Sequence, residues 1–357
     1  MNFKKVILVT LISTVFLVSC DNNDNVQDAP LGTYDNGALI LNQGGFGNGN
    51  ASVSYLSNDF ATFQNTVFSV VNPTITLGDT AQDMGFYNNY AFIILNGSNK
   101  IEVVDRYSFE TVATITTGLS NPRYIAFANG KGYVTNWGNG NDANDDFVAV
   151  INLTDYTVSS TISVLEGPEK IVEYNNKLYV AHYGGYGFGS TVSVINSATN
   201  TVSTSIPVGD LPNSVEINNG NLYVICGGKP SWSGAESAGK LVKVDLSNNT
   251  VTGTINFATA SHPSNLEIEN EAVYYTLDSG IFKTTLTATT LPATPLFTTT
   301  SQGAYGIYSF KVENNKIFVG DAGDYSANGK VYIYSLTGVL EHDYTVGVIP
   351  AGFYFND

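Results

Sequence analysis

A phrase that recurs along the chain constrains its fold more than any other feature, because repeats of a few tens of residues mean stacked or ring-forming units. The clearest copy begins Asn121-Pro122-Arg123-Tyr124-Ile125-Ala126-Phe127, an extended run around a proline, and turns at Asn129-Gly130. It continues through Gly132-Tyr133-Val134-Thr135-Asn136, a loop rich in Gly and Asp, Phe147–Asn152 and Thr157–Val164. Further copies start at Ala81, Gly167-Pro168, Leu211-Pro212, His262-Pro263 and near Gly303. Each copy holds four short strands within roughly 40–50 residues, the period of a propeller blade. Asn-Gly and Asn-Asn pairs supply the positive φ of tight hairpin turns. The strands are rich in Val, Ile, Tyr, Phe and Thr, which suit a pleated, half-buried surface. No amphipathic helix is expected after the first twenty residues.

The two ends of the chain set the number of blades. The first copy opens in mid-unit: Ala38–Asn42 reads as a second strand, Ser52–Ser57 as a third and Thr62–Val70 as a fourth. The missing first strand reappears at the other end, as Ile349-Pro350-Ala351-Gly352-Phe353-Tyr354-Phe355. First strands near 81, 121, 167, 211, 262, 303 and 349 predict an all-β propeller of seven four-stranded blades over residues 35–357, its C-terminal strand completing the N-terminal blade. A closed ring leaves no long sheet edge exposed.

Composition narrows the function. Apolar residues make up 43% of the 357, too many for a disordered chain. Asp and Glu outnumber Lys and Arg by 31 to 15, a balance unsuited to neutralising nucleic-acid phosphates. Two cysteines provide neither a disulfide framework nor a Cys-based zinc site. Residues 1–19 read as a signal peptide: Lys4 and Lys5 precede a thirteen-residue apolar run, Val6–Val18, short of the roughly 20 residues that span a bilayer. The run ends Leu17-Val18-Ser19-Cys20, which resembles a bacterial lipobox with Cys20 as the lipidated residue. Cys226 would then be alone. Residues 20–34 read as a flexible tether. Its Asp21-Asn22-Asn23-Asp24-Asn25 is similar to the acidic segment that sends some lipoproteins to the cell surface.

Tyr133-Val134-Thr135-Asn136 spells the signature of YVTN-type seven-bladed propellers, and Thr191–Asn196 with Thr201–Val208 resembles the later strands of that family. The likeness runs from about Ala81 to Val346 and fades in the first blade and the last two. With a lipobox in front, the whole resembles surface propeller lipoproteins that partner TonB-dependent transporters and capture cobalamin. The resemblance implies an outer-membrane, lipid-anchored protein that captures a nutrient, a corrinoid first among candidates, with haem or a glycan as others. It implies hand-over to a TonB-dependent transporter.

In four-stranded blades, the loops joining second to third strands share one face with the blade-to-blade connections. Here that face carries the long loops Gln43–Asn50, Asn136–Asp146, His182–Ser190, Cys226–Gly239 and Gly320–Gly329. They hold Phe46, Trp137, Tyr183, Tyr186, Phe188, Trp232 and Tyr325, including both tryptophans of the chain. Such rings either roof the ring of blades by packing on each other or form platforms for a flat, polycyclic or sugar ligand. Arg123 follows the proline of a first strand and so reaches the channel rim. It either pairs an anionic ligand group or neutralises Asp142, Asp145 and Asp146. Lys229, beside Pro230 and Trp232, is a second cation, and Asn136, Asn213 and Tyr305 are neutral hydrogen bonders.

Signals for catalysis and metals are weak. His182, His262 and His342 show no i,i+4 pairing. His182 reads as a loop hydrogen bonder, with axial ligation of a corrinoid or haem as the other option. Asn139–Asp146 is rich in oxygen ligands but misses the calcium-loop spacing of an EF-hand. Gly185-Tyr186-Gly187-Phe188-Gly189 leads into a strand, so no helix N-terminus follows to hold phosphate. No Gly-x-Ser-x-Gly elbow is present. The expectation is a binding protein rather than an enzyme; a lactonase- or lyase-type propeller and a structural or adhesive surface protein are the alternatives.

Overall fold

The computed structural model describes residues 30–356. The expected signal peptide, Cys20 and most of the expected tether lie outside the described residues. Those described form seven four-stranded antiparallel sheets, one per blade. Blade 3 shows the pattern: innermost strand Pro122–Ala128, second Lys131–Asn136, third Phe147–Asn152, outermost Thr157–Ser163. Blades 2, 4, 5, 6 and 7 begin with Ala81–Tyr87, Pro168–Tyr174, Pro212–Asn218, Ser264–Glu269 and Ser309–Glu313. Pro350–Asn356 is the innermost strand of blade 1 and pairs antiparallel with Gly37–Asn42, in the register Ala38 to Phe355 and Ile40 to Phe353. The seventh repeat starts later than its Gly303 marker, because residues 300–302 form a short 3₁₀ turn before Ser309.

One element departs from the expected β-only pattern. The fourth strand of blade 1, expected over Thr62–Val70, is only Phe63–Gln64, and a five-residue helix, Val67–Val71, follows. Val67, Phe68 and Val71 are spaced for one helical face rather than for alternation along a strand. That face packs with Tyr34, Leu77 and Phe109. Asn72 fixes its end: its amide donates to the carbonyls of Phe68 (3.2 Å) and Phe109 (2.9 Å), while its oxygen accepts from the Thr111 N–H (3.0 Å).

The core lies between blades, not on the axis. Phe92 and Ile94 of blade 2 pack on Val134 and Ala149 of blade 3. Tyr133 and Val148 of blade 3 pack on Ile171 and Leu178 of blade 4, and Tyr179 and Val194 of blade 4 on Leu222 and Val224 of blade 5. The recurring tyrosine has a polar duty as well. The Tyr133 hydroxyl reaches the blade 4 turn at the Ser197 carbonyl (3.1 Å) and Asn200 Oδ1 (2.9 Å), and Tyr179 reaches Asn249 Oδ1 in blade 5 (3.2 Å). Thr135 links the axis strands: its hydroxyl accepts from the Tyr124 N–H (2.9 Å) and donates to the Glu169 carbonyl (2.9 Å).

Ring closure rests on Phe353, buried with Ile40, Leu56 and Phe318 where blades 7 and 1 meet. Phe353→Ala should cost about 3–5 kcal/mol and lower the melting temperature in one cooperative transition, read by circular dichroism. A loss below about 1 kcal/mol would show that the seam does not hold the ring.

Candidate functional site

Each innermost strand starts at the long-loop face, and in six of the seven blades a register irregularity follows its first residue, as between Pro122 and Ile125 and between Pro168 and Ile171. A bulge re-aims side chains, and here successive residues after the first line the axis. They enclose a central channel of about 880 Å³, walled by all seven innermost strands and capped by Gln43, Trp137 and Tyr183.

At the mouth stands Arg123. Its guanidinium forms a two-pronged pair with Glu169 on the next blade, Nε to Oε2 at 2.9 Å and Nη2 to Oε1 at 2.7 Å. The Trp137 ring lies 4.1 Å from the guanidinium carbon, and the indole N–H donates to the Pro168 carbonyl at 3.1 Å. Arg123 is thus held by a planar carboxylate on one side and an indole face on the other; burial opposes its charge, and the Glu169 carboxylate more than offsets that. Its partner is not the Asp-rich loop. Asp145 accepts the Asn139 N–H (2.9 Å) and Asp142 the Asn144 N–H (3.1 Å), within the loop, while Asp146 accepts the Gly167 N–H (3.1 Å) and ties the loop to the next blade's connection. Among the described residues, no group of three or more His, Cys, Asp or Glu is arranged to hold a metal ion.

Around the mouth, aromatic side chains stand in pairs. Trp137 meets Tyr186 edge-on at 6.1 Å, Phe188 lies 5.7 Å from Trp232, and Tyr308 meets Tyr325 at 5.8 Å. Lys229 Nζ sits 5.7 Å from the Phe188 ring and 3.7 Å from Asp210. Tyr186, Trp232, Phe46 and Tyr305 are each at least three-quarters exposed. Among the described residues the exposed aromatics are Phe46, Tyr186, Phe188, Trp232, Tyr305, Tyr308 and Tyr325, and every one belongs to this face. The glycines of the blade 4 loop serve close packing: Gly167, at φ +60°, leaves no room for a Cβ, which would fall 1.9 Å from the Gly185 nitrogen.

The structure separates the sequence-selected residues into two groups. Arg123, Trp137, Tyr183 and Asn213 reach the channel mouth, and Phe46, Tyr186, Phe188, Lys229, Trp232, Tyr305 and Tyr325 stand on the surrounding face. Asn136 and His182 instead end second strands and point into the fold. Asn136 bonds the Val134 carbonyl (2.8 Å) and the Ser120 N–H (2.9 Å). His182 Nε2 lies 2.8 Å from Ser193 Oγ and Nδ1 3.3 Å from the Glu166 carbonyl, and burial pulls the ring down to about 4, so it is neutral at pH 7. Both ring nitrogens are occupied. Sequence reasoning missed Glu169, Tyr308 and Gln43, whose side chains complete the mouth; the Tyr308 hydroxyl donates to Gln43 Oε1 at 2.5 Å. It also missed the charged groups deeper in the channel: Asp83, Lys170, Glu216, Glu267 and Lys311. Stacking the repeats in register would have found them, since Asp83, Tyr124, Lys170 and Ser214 are equivalent positions.

A family described as a domain of unknown function (DUF5074) matches residues 36–352. No curated protein matches the chain significantly. Among solved structures, a quinonprotein alcohol dehydrogenase-like protein from Bacteroides thetaiotaomicron is 14% identical, with a TM-score of 0.66 over 91% of this chain and 79% of that one. A candidate 6-phosphogluconolactonase from Bacteroides uniformis is 12% identical, with a TM-score of 0.62 over 90% and 99%. BamB from Moraxella catarrhalis is 13% identical, at 0.52 over 88% and 84%. At these identities the likeness is one of fold alone.

Asp83 gives a pH test of the channel wall. Its carboxylate accepts the Ile125 N–H (2.9 Å) and the Tyr354 hydroxyl (2.9 Å), and burial raises it from 3.8 to about 6, against the pull of Lys170. The folded chain then holds this proton to higher pH than the unfolded chain. The stabilisation is full below about pH 4 and is lost as pH rises to about 6. Asp83→Asn keeps the shape without the titration. Its stability relative to the natural chain should rise by about 2–3 kcal/mol between pH 4 and 6.5, read by urea unfolding. A flat difference would refute the assignment.

Proposed function

We propose that this chain, which belongs to the DUF5074 family, is a ligand-binding propeller that captures a flat or polycyclic nutrient on its aromatic face and does not transform it. One observation carries the reading: every exposed aromatic of the described residues stands on the long-loop face, onto which the channel opens. Exposed aromatic rings cost free energy in water and regain it against another apolar or π surface. Paired rings with few competing charges suit a planar macrocycle or a sugar face. A corrinoid is the first ligand to test, a choice supported by the resemblance to cobalamin-capturing surface propellers, with haem and glycans next. In this reading the protein is anchored through lipidated Cys20 at the outer membrane and passes its ligand to a TonB-dependent transporter. Arg123, already paired with Glu169, acts as a rigid base under Trp137 rather than as a free anion receptor.

Two measurements test the proposal. Calorimetric titration of the soluble chain with cyanocobalamin should give one-to-one binding. The Trp137→Ala, Trp232→Ala double variant should weaken it at least a hundredfold, since each buried aromatic contact contributes on the order of 1–3 kcal/mol. Absence of heat with cyanocobalamin removes the corrinoid; absence with haem and glycans as well removes the capture reading. For the anchor, cells fed a fatty-acid label should incorporate it into the natural chain and not into Cys20→Ala. Equal labelling of the two would overturn the lipoprotein assignment.

A further inference from the structure

Beneath the mouth the channel wall changes character. Asp83 on blade 2, Glu216 on blade 5, Glu267 on blade 6 and Glu313 on blade 7 face the axis together with two ammonium groups, Lys170 on blade 4 and Lys311 on blade 7. The acids outnumber the cations, and Arg123 adds nothing because Glu169 neutralises it. The two lysines are already occupied. Lys311 Nζ is 2.7 Å from Glu267 Oε2, and Lys170 Nζ sits 3.9 Å over the Tyr124 ring. Asp83 is occupied too, by the Ile125 N–H and the Tyr354 hydroxyl.

Glu216 is different. It lines the cavity, yet its carboxylate accepts no hydrogen bond and makes no ion pair within 4 Å among the described residues. Lys311 and Lys170 act on it only through space, and Glu267 and Glu313 repel it. A partly exposed carboxylate on the channel wall that has no protein partner is free to pair an arriving cation. Tyr354 and Phe310 line the same cavity, and ring faces favour cations; the Tyr124 ring is already covered by Lys170. The cavity of about 880 Å³ is ample for a slender molecule lying along the axis.

We infer that the channel interior is a second binding site, for an organic ammonium ion, with Glu216 as its counter-ion. The ligand class is an aliphatic amine, free or as the tail of a larger molecule. The inference stands on the channel wall and not on what the aromatic face takes. Burial and the neighbouring carboxylates raise both Glu216 and Glu267 from their ordinary values, against the pull of Lys311 and Lys170.

The test is calorimetry on the purified protein at pH 7.5 with 1,5-diaminopentane, and with 1,5-pentanediol as the uncharged control. The expected result is saturable one-to-one binding of the diamine and no binding of the diol. Glu216→Gln should weaken the diamine at least tenfold. Glu216→Asp, which keeps the charge but withdraws it, should fall between and serves if the Gln variant does not fold. Glu110→Gln, on the exposed rim of blade 2, should leave binding unchanged. No diamine binding, or equal binding by the Glu216 variants, would overturn the inference; the second result would mean that the amine merely coats an acidic surface.

Discussion

The molecule depends on one non-covalent seam. Pro350–Asn356 must find Gly37–Asn42, some three hundred residues away in sequence, before the seventh sheet is complete. Such a long loop is entropically costly to close, and the contacts at the seam offset it. Ile40, Leu56, Phe318 and Phe353 bury one another there, and Asn356 donates to the carbonyls of Tyr34 (2.6 Å) and Arg106 (2.8 Å). Closure fixes the angular position of every innermost strand. It therefore fixes the channel: seven wedge-shaped sheets packed face to face cannot bring their inner edges to a point. Because apolar burial is complete between blades, the axis carries no packing duty, and charged side chains can stand there.

The irregularity at the start of the innermost strands converts this scaffold into a site. It interrupts the ladder and leaves a backbone N–H without a strand partner. The preceding blade supplies the acceptor: Asp83 takes the Ile125 N–H at 2.9 Å, and Ser214 takes the Leu266 N–H at 3.1 Å. One side chain thus stitches two blades together and sets the polarity of the channel. Asp83 is as much a structural residue as an electrostatic one, which is why Asn, and not Ala, is the informative replacement.

The repeats made the ring, its closure and the division into a plain-turn face and a long-loop face legible in the sequence, since each follows from spacing and turn chemistry. The helix at Val67–Val71 was not legible, because five residues are too few for a period to register against the flanking strand pattern. Asn136 and His182 looked like loop residues because they adjoin loops. The last residue of the second strand is in fact a buried position in blade after blade, held by Asn42, Asn136, His182, Cys226 and Asp321. Burial raises the Cys226 thiol to about 12, so at this position even a cysteine is chemically quiet. Glu169 escaped notice for another reason. It lies forty-six positions from Arg123, and only the curvature of the ring makes equivalent residues of adjacent repeats into neighbours.

Arg123 and Glu169 occupy the boundary between two chemically unlike zones. Above them the aromatic pairs present π faces with little charge; below them the acids of Asp83, Glu216 and Glu267 dominate. Removing one member of a buried ion pair costs about 3–5 kcal/mol, because the other is left uncompensated. A ligand resting on the aromatic face meets this pair closed and gains nothing by opening it. A slender cation reaching the acids below passes beside it, since the pair spans only two of seven blades. The locked pair thus keeps the two zones electrostatically separate while leaving them connected by the same channel. A large flat group held at the mouth and an ammonium group held beneath it are compatible occupants, and could be two parts of one molecule.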